Sequence, residues 1–401
     1  MQNIQKTPRG MRHTIVLNGC RNAGKSSLIN ALTDQETSIV SPIAGTTTDA
    51  VAKTYELLPL GPVTFIDTAG IDDNSALGAQ RISATQKALK KSDIALLVVG
   101  ETGINNTDKQ QIDFLKNLKI PFFVVFNKAD IATPKNEDKE FLTNEQIAFL
   151  SVSSLTKSGI KELKEKIIRE LLQNNKEKLL LEGLVKEKDN IILVAPIDAS
   201  APKNRLILPQ VQVLRELLDF HCVANVVQVE ELEEALSLQN KAPKLIITDS
   251  QAIKEVNKIV PKDIPLTTFS ILFARLKGDF EIMAKGAKQI DNLKDNDKIL
   301  IAEACSHHAQ DDDIAKVKIP NLISKYTSKN LDFEFCSGCD FPDNLEEYAL
   351  VVHCGGCMIT GAEMKHRQNE CIRRGVPVTN YGMAISKAQG VLSRVIKPFG
   401  I

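Results

Sequence analysis

The chain has 401 residues, 43% of them hydrophobic, and its 50 Lys and Arg balance its 50 Asp and Glu to a net charge of zero. That length suggests two or three domains, each able to bury a core of its own, and the missing basic excess counts against a dedicated nucleic-acid binder. No run of about 18 apolar residues suggests a membrane span. Residues 1–10 are polar without an apolar signal core, so a cytoplasmic chain is expected. Eight cysteines in such a chain favour metal binding or buried thiols over disulfides.

A short apolar run at 14–17 leads into a Gly-rich turn and a helix beginning near Gly24. Further apolar runs at 63–66, 94–99 and 122–126 alternate with helical patterns such as 107–118. That alternation predicts an α/β domain built on a doubly wound, parallel sheet. Residues 161–188, rich in Lys, Glu and Leu, read as a last helix and a linker with a solvated charged face. Strands at 191–196, 224–229 and 245–248 and a helix at 211–219 form a small α/β unit ending near Pro265. It shows no catalytic constellation, its His221 and Cys222 read as packing, and it suits an interaction module. A third segment opens near Thr267, with strands at 298–302, 349–352 and 376–379; cysteines follow the first two, where open α/β sheets bind ligands. The expected domains are 1–178, 186–266 and 267–401.

Gly19-Cys20-Arg21-Asn22-Ala23-Gly24-Lys25-Ser26, followed by Ser27, fits a P-loop between strand and helix. The glycines let backbone N–H groups face phosphate at a helix N-terminus. Lys25 is expected to reach the β- and γ-phosphates and Ser26 to ligate Mg²⁺. Asp67-Thr68-Ala69-Gly70 follows the next apolar strand: Asp67 belongs to the Mg²⁺ shell, and the Gly70 N–H senses the γ-phosphate. In Asn127-Lys128-Ala129-Asp130 the carboxylate can accept from guanine N1 and N2, a donor pair adenine lacks, and Ser153-Ser154 completes the base pocket. GTP or GDP is therefore the expected nucleotide. Gly45-Thr46-Thr47-Thr48-Asp49 lies where a switch loop belongs, with Thr47, in preference to Thr46 or Thr48, meeting Mg²⁺ when the γ-phosphate is present.

The last third carries Cys305-Ser306-His307-His308, Cys336-Ser337-Gly338-Cys339 and His353-Cys354-Gly355-Gly356-Cys357, a pattern that points to metal. Two readings compete. The two C-x-x-C pairs, 14 residues apart, can form a Cys₄ zinc ribbon. Alternatively Cys305, Cys354 and Cys357 hold a [4Fe–4S] cluster with one open iron, whose further contact is Glu303, His307 or His353. The second is favoured: Cys305 and Cys354 each end an apolar strand, and Gly355-Gly356 lets backbone N–H groups approach cluster sulfur. Cys336 and Cys339 then read as loop spectators, and Cys371 as a core residue.

The P-loop with Asn22, the Gly-Thr-Thr switch and the Asp-Thr-Ala-Gly box resemble the Era and MnmE type of translation-factor-like GTPases. In some of these the asparagine matching Asn22 ligates a potassium ion that speeds hydrolysis. Ile71 stands where Ras-like proteins have a water-positioning glutamine, Gln80 stands roughly where the MnmE type has a catalytic glutamate, and no arginine finger is evident. Slow intrinsic hydrolysis is expected, with Lys25, Thr47, Asp67 and Gly70 as the catalytic set.

The order of a GTPase domain, a small middle domain and Cys-x-His … His-Cys-x-x-Cys resembles the HydF family of [FeFe]-hydrogenase maturation GTPases over nearly the whole chain. Residues 208–212, 267–270, 340–342 and 376–382 add to the likeness. The 45 residues between His307 and His353 are slightly fewer than that pattern has, and Cys336 and Cys339 stand outside it. The resemblance implies a homodimeric scaffold, paired through its middle domain, with the cluster as anchor. It would receive a transient di-iron precursor from radical S-adenosylmethionine maturases and pass the unit to apo-[FeFe]-hydrogenase, with GTP modulating partner association. It implies no nucleic-acid or membrane partner. The alternative is an RNA- or ribosome-associated GTPase with a structural zinc ribbon; zero net charge and 5% aromatics weigh against it.

Overall fold

The computed structural model describes residues 10, 12–34, 51–70, 78–174, 179–197, 206–304, 313–338, 341–342, 344–357 and 359–401. The chain divides into two compact units, Met1–Glu177 and Lys178–Ile401.

In the first unit β1 (His13–Asn18), β2 (Val51–Leu57), β3 (Gly61–Asp67), β4 (Ile94–Val99), β5 (Phe122–Phe126) and β6 (Phe149–Ser151) form one sheet in the order β2-β3-β1-β4-β5-β6. All neighbours are parallel except β2, which runs antiparallel to β3. Every residue of β4 is buried, as expected of a central parallel strand covered on both faces. Edge strand β2 is absent from the sequence reading because Val-Ala-Lys-Thr-Tyr-Glu-Leu mixes charge with apolar residues and shows no continuous run. Helix Asn106–Asn117 begins where Asn105 Oδ1 accepts from Asp108 N at 3.0 Å and Asp108 Oδ2 accepts from Asn105 N at 3.1 Å, a reciprocal cap that satisfies two free donors. Strand β1 has β3 on one side and β4 on the other, so the order reverses at its carboxyl end and opens a crevice there.

The second unit holds two parallel sheets. The first, β10-β9-β7-β8, comprises β7 (Asn190–Val194), β8 (Val223–Val227), β9 (Leu245–Thr248) and β10 (Leu266–Thr268). The second, β12-β11-β13-β14, comprises β11 (Lys298–Glu303), β12 (Asp332–Ser337), β13 (Leu350–His353) and β14 (Val378–Asn380). Ile192, Val194 and Ile246 of one sheet join Ile299, Ile301 and Val352 of the other in a single hydrophobic core. Cys336, expected in a loop, lies instead in edge strand β12. The alternation Asp332-Phe333-Glu334-Phe335 is a half-buried strand pattern, but it lacks the apolar run that marked its neighbours.

Helix Phe280–Lys288 crosses β14 so closely that a Cβ on Gly286 would stand 2.0 Å from the Val378 carbonyl oxygen. Backbone on both sides leaves little room to relax, so Gly286→Ala is expected to destabilise the second unit by about 3 kcal/mol. Chemical denaturation would register this as a lower midpoint; an unchanged midpoint would show that the helix moves freely off the strand.

Candidate functional site

The nucleotide motifs converge on the crevice at β1. Gly19 has φ +145°, and a Cβ there would stand 2.2 Å from the Val98 carbonyl oxygen, so this close approach to β4 requires glycine. Gly24, with φ +87°, opens helix Lys25–Thr33 in the left-handed region. Lys25 is buried, its Nζ donating to the carbonyls of Gly19 and Cys20 at 2.9 Å each. A lysine held inside the loop by its own carbonyls is placed to exchange them for phosphate oxygens. Ser26 Oγ donates to Asp67 Oδ2, while Asp67 Oδ1 is buried with no hydrogen-bond partner among the described residues. A hydroxyl beside a carboxylate with an orphaned oxygen is a hard-oxygen donor set that fits Mg²⁺. Gly70 lies against the P-loop, where a Cβ would stand 2.3 Å from Arg21 Cγ. Asn22 adopts φ +58° at the turn.

The base-side motif is tied to the phosphate side by Asn127. Its Nδ2 donates to the Ala23 and Gly24 carbonyls at 3.1 and 3.3 Å, and its Oδ1 accepts from Ser154 N at 3.1 Å and Ser154 Oγ at 2.8 Å. Ser153 Oγ donates to Asp130 Oδ1 and orients that carboxylate. Lys128 has φ +63°, and its ammonium lies 3.3 Å from Glu101. Thr46 and Thr47 of the switch, with Thr48 and Ile71, lie outside the described residues.

The second site sits at the carboxyl edge of β11 and β13. These strands pair in parallel with Ala302 opposite His353, so the residues that follow them emerge side by side. The Ala304 N–H donates to Cys354 Sγ at 3.1 Å, and Cys354 N donates to the Ala302 carbonyl at 2.8 Å. Cys305, next in the chain after Ala304, lies with His307 and Cys339 outside the described residues. Glu303 ends β11 half-buried. Cys354 and Cys357 are half-buried thiols outside any disulfide, and Gly356 between them takes φ +65°. Among the described residues no three His, Cys, Asp or Glu side chains stand together as a metal site.

His353, one of the three residues expected as the further cluster contact, has both ring nitrogens engaged within the protein. Arg367, a donor only, donates through NH1 to Nε2 at 3.0 Å, and Nδ1 therefore carries the proton and lies 2.8 Å from the Cys354 carbonyl. Burial and the Arg367 charge hold its pKa down at about 4, so the ring is a neutral strut. Cys336 packs with Leu300, Ala302 and Val351, whereas Cys354 packs with the Ile299, Ile301 and Val352 layer. The two thiols thus belong to opposite faces of the sheet. Burial pushes the Cys336 thiol up to about 11. Cys371 is fully buried in helix Gly361–Arg373.

Two charged residues missed in the sequence hold this site. Lys277 is 4% exposed, and its Nζ donates to the carbonyls of Gly356, Cys357 and Ile359 at 2.8, 3.3 and 2.7 Å. Burial lowers its pKa to about 8, against the opposing pull of Cys357, Cys354 and Glu363. Arg367, also buried, adds donations from NH2 to Gly338 O at 2.7 Å and Glu363 Oε1 at 2.8 Å. Ion pairs buried this deeply persist only with their hydrogen bonds satisfied. The sequence cue for Lys277 was weak, since Arg275 and Lys277 together close the largely apolar helix Phe269–Lys277 as an ordinary basic C-terminus.

Among known proteins, residues 14–128 match the family described as 50S ribosome-binding GTPase. Residues 180–278 match the Hydrogen maturase F dimerization domain, and residues 281–398 the Hydrogen maturase F tetramerization domain. The tRNA modification GTPase MnmE of Lachnoclostridium phytofermentans is 36% identical over 177 residues, covering 43% of this chain and 37% of that protein. GTPase Der of Nitratiruptor sp. is 36% identical over 145 residues, covering 35% of this chain and 31% of that protein. The chain thus spans about a third of the length of these relatives. The G domain of the T. maritima FeoB iron transporter matches with a TM-score of 0.32 at 25% identity, over 40% of this chain and 98% of that one. No helix among the described residues is long and apolar enough to cross a membrane. With a P-loop GTPase domain followed by two hydrogen maturase F domains, the chain belongs to the hydrogen maturase F (HydF) family of hydrogenase-maturation GTPases.

Proposed function

We propose that this chain is a cytoplasmic, homodimeric carrier that hydrolyses GTP slowly, holds a [4Fe–4S] cluster on Cys305, Cys354 and Cys357, and delivers a di-iron unit to apo-[FeFe]-hydrogenase. The unit would come as a precursor from radical S-adenosylmethionine maturases. One observation carries the cluster reading: the Ala304 N–H is bonded to Cys354 Sγ, which brings the residue before Cys305 against the second cysteine. N–H donation to sulfur stabilises thiolate, and the Lys277 ammonium held under the Cys354–Cys357 loop offsets its charge. These residues fit an iron–sulfur cluster, which when bound would supply an iron with an open coordination position. With His353 engaged by Arg367, Glu303 and His307 are left as the further contact. The zinc ribbon is disfavoured, since Cys336 packs on the face of the sheet opposite Cys354.

In the nucleotide site Ser26, Asp67 and, once the γ-phosphate is present, Thr47 would hold Mg²⁺, and Lys25 and the Gly70 N–H would meet the γ-phosphate. Asn22, projecting from the left-handed turn of the P-loop, would ligate potassium. The functional division follows 1–178 for the nucleotide, 186–266 for pairing and 267–401 for the cluster. A second copy would add to edge strand β8, which exposes Val223 (57%) and Val226 (45%) beside its free backbone groups. Such an edge is a template for another strand. GTP would act on partner affinity, since a nucleotide shifts binding only through its different affinity for two states.

Three outcomes are expected. Single-turnover GTP hydrolysis should be several-fold faster in potassium than in sodium at equal ionic strength; equal rates would remove the role given to Asn22. After anaerobic reconstitution, Cys305→Ala, Cys354→Ala and Cys357→Ala should each lose the cluster EPR signal and Cys336→Ala should keep it. Stoichiometric zinc without iron would sink the carrier reading. Val226→Lys should shift the assembly toward smaller species by light scattering at micromolar concentration, whereas an unchanged mass would move the dimer interface away from β8.

A further inference from the structure

Tyr381 is nine-tenths buried, yet its hydroxyl has no hydrogen-bond partner among the described residues. Leaving a buried hydroxyl unpaired costs about 1–3 kcal/mol, so its orientation needs a reason. Its location supplies one. His353 and Asn380, the last residues of β13 and β14, pair in parallel, so the residues that follow them, Cys354 and Tyr381, leave the sheet at the same edge, and both pack in one apolar cluster. The start of helix Tyr381–Ala388 is then locked there. Asn380 Nδ2 donates to Ser270 O at 2.9 Å and Ser270 Oγ at 3.0 Å, and Gly382 N donates to Ser270 Oγ at 3.3 Å. A Cβ on Gly355 would stand 3.7 Å from the same Ser270 oxygen, which brings this anchor against the loop between the cysteines.

Among the described residues Thr248, Thr267, Thr379 and Ser386 also carry buried hydroxyls without a partner, but Tyr381 alone among them is a long phenol near acidic groups. Burial first, and then the charges at Cys354, Glu303, Asp313 and Cys336, push its ionisation far above the usual range. A phenol hydroxyl is an O–H donor at neutral pH. A donor without an acceptor among the described residues is satisfied when the acceptor arrives with a ligand.

We propose that the Tyr381 hydroxyl donates a hydrogen bond to a small anionic ligand borne by the metal centre at Cys354, making it a binding residue for the cargo side of the site. The inference rests on the cluster reading given above. Cyanide, a two-atom anion that binds iron and accepts hydrogen bonds, is the probe. Full-length wild type and Tyr381→Phe are reconstituted anaerobically, analysed for iron and sulfide, and titrated with cyanide by EPR; thermal unfolding of both apo-proteins is recorded alongside. The expected result is equal iron and sulfide, cyanide affinity about tenfold lower in the variant, and an apo-protein melting temperature unchanged or raised. Equal cyanide affinity in two loaded proteins overturns the Tyr381 assignment alone. A lower apo melting temperature, or a variant that takes up no iron and sulfide, also overturns it by giving the hydroxyl a structural role. Wild type that takes up no iron and sulfide overturns the cluster reading and the Tyr381 assignment together.

Discussion

The parallel pairing of β11 with β13 is the constraint on which the cysteine site depends. Parallel strands end at the same edge of their sheet, and here the register sets Ala302 opposite His353. The Ala304 N–H and the Cys354 thiol, 50 residues apart in sequence, thereby come within a hydrogen bond of each other. A one-residue slip would turn each cysteine-bearing end to the opposite face. The buried apolar side chains of these strands, Ile299, Ile301 and Val352 on one face and Leu300, Ala302 and Val351 on the other, hold the register against that slip.

Around that edge, buried charge takes over from apolar packing. Lys277 comes from the helix that follows β10, and it closes on three carbonyls of the loop bearing Cys357. Arg367 comes from helix Gly361–Arg373, and it joins His353, Glu363 and the Gly338 carbonyl. Each cation is buried and makes three hydrogen bonds, whose fixed geometry orients a loop that has few apolar side chains of its own. Both sheets of the second unit thus contribute to one site. Residues 180–278 supply Lys277 and Ser270, and residues 281–398 supply the thiols and Tyr381.

The nucleotide site was legible because its chemistry is local. A P-loop needs a strand, a turn of glycines and a helix within a few residues, and Gly19, Gly24, Lys25 and Ser26 stand in that order. Even Asn127, distant in sequence, was readable as part of a short ordered motif. That it bridges the P-loop carbonyls and Ser154 was not. Strand β12 was passed over because its two phenylalanines alternate with acids, and with it the fact that Cys336 lies in a strand rather than a loop.

Local spacing and residue type by themselves determined the GTPase fold, its nucleotide-binding motifs and the set of candidate thiols, while the hydrogen maturase family entered as a resemblance that the domain matches then showed. Covalent neighbours and short-range backbone geometry suffice for these. Only the tertiary structure decided that Arg367 occupies the His353 Nε2, that Cys336 and Cys354 pack on opposite faces of the sheet, and that Lys277 closes on the loop bearing Cys357. Those assignments depend on which face of a sheet a side chain takes and which distant group fills its hydrogen-bonding positions. Neither is fixed until the strands are paired and water is excluded.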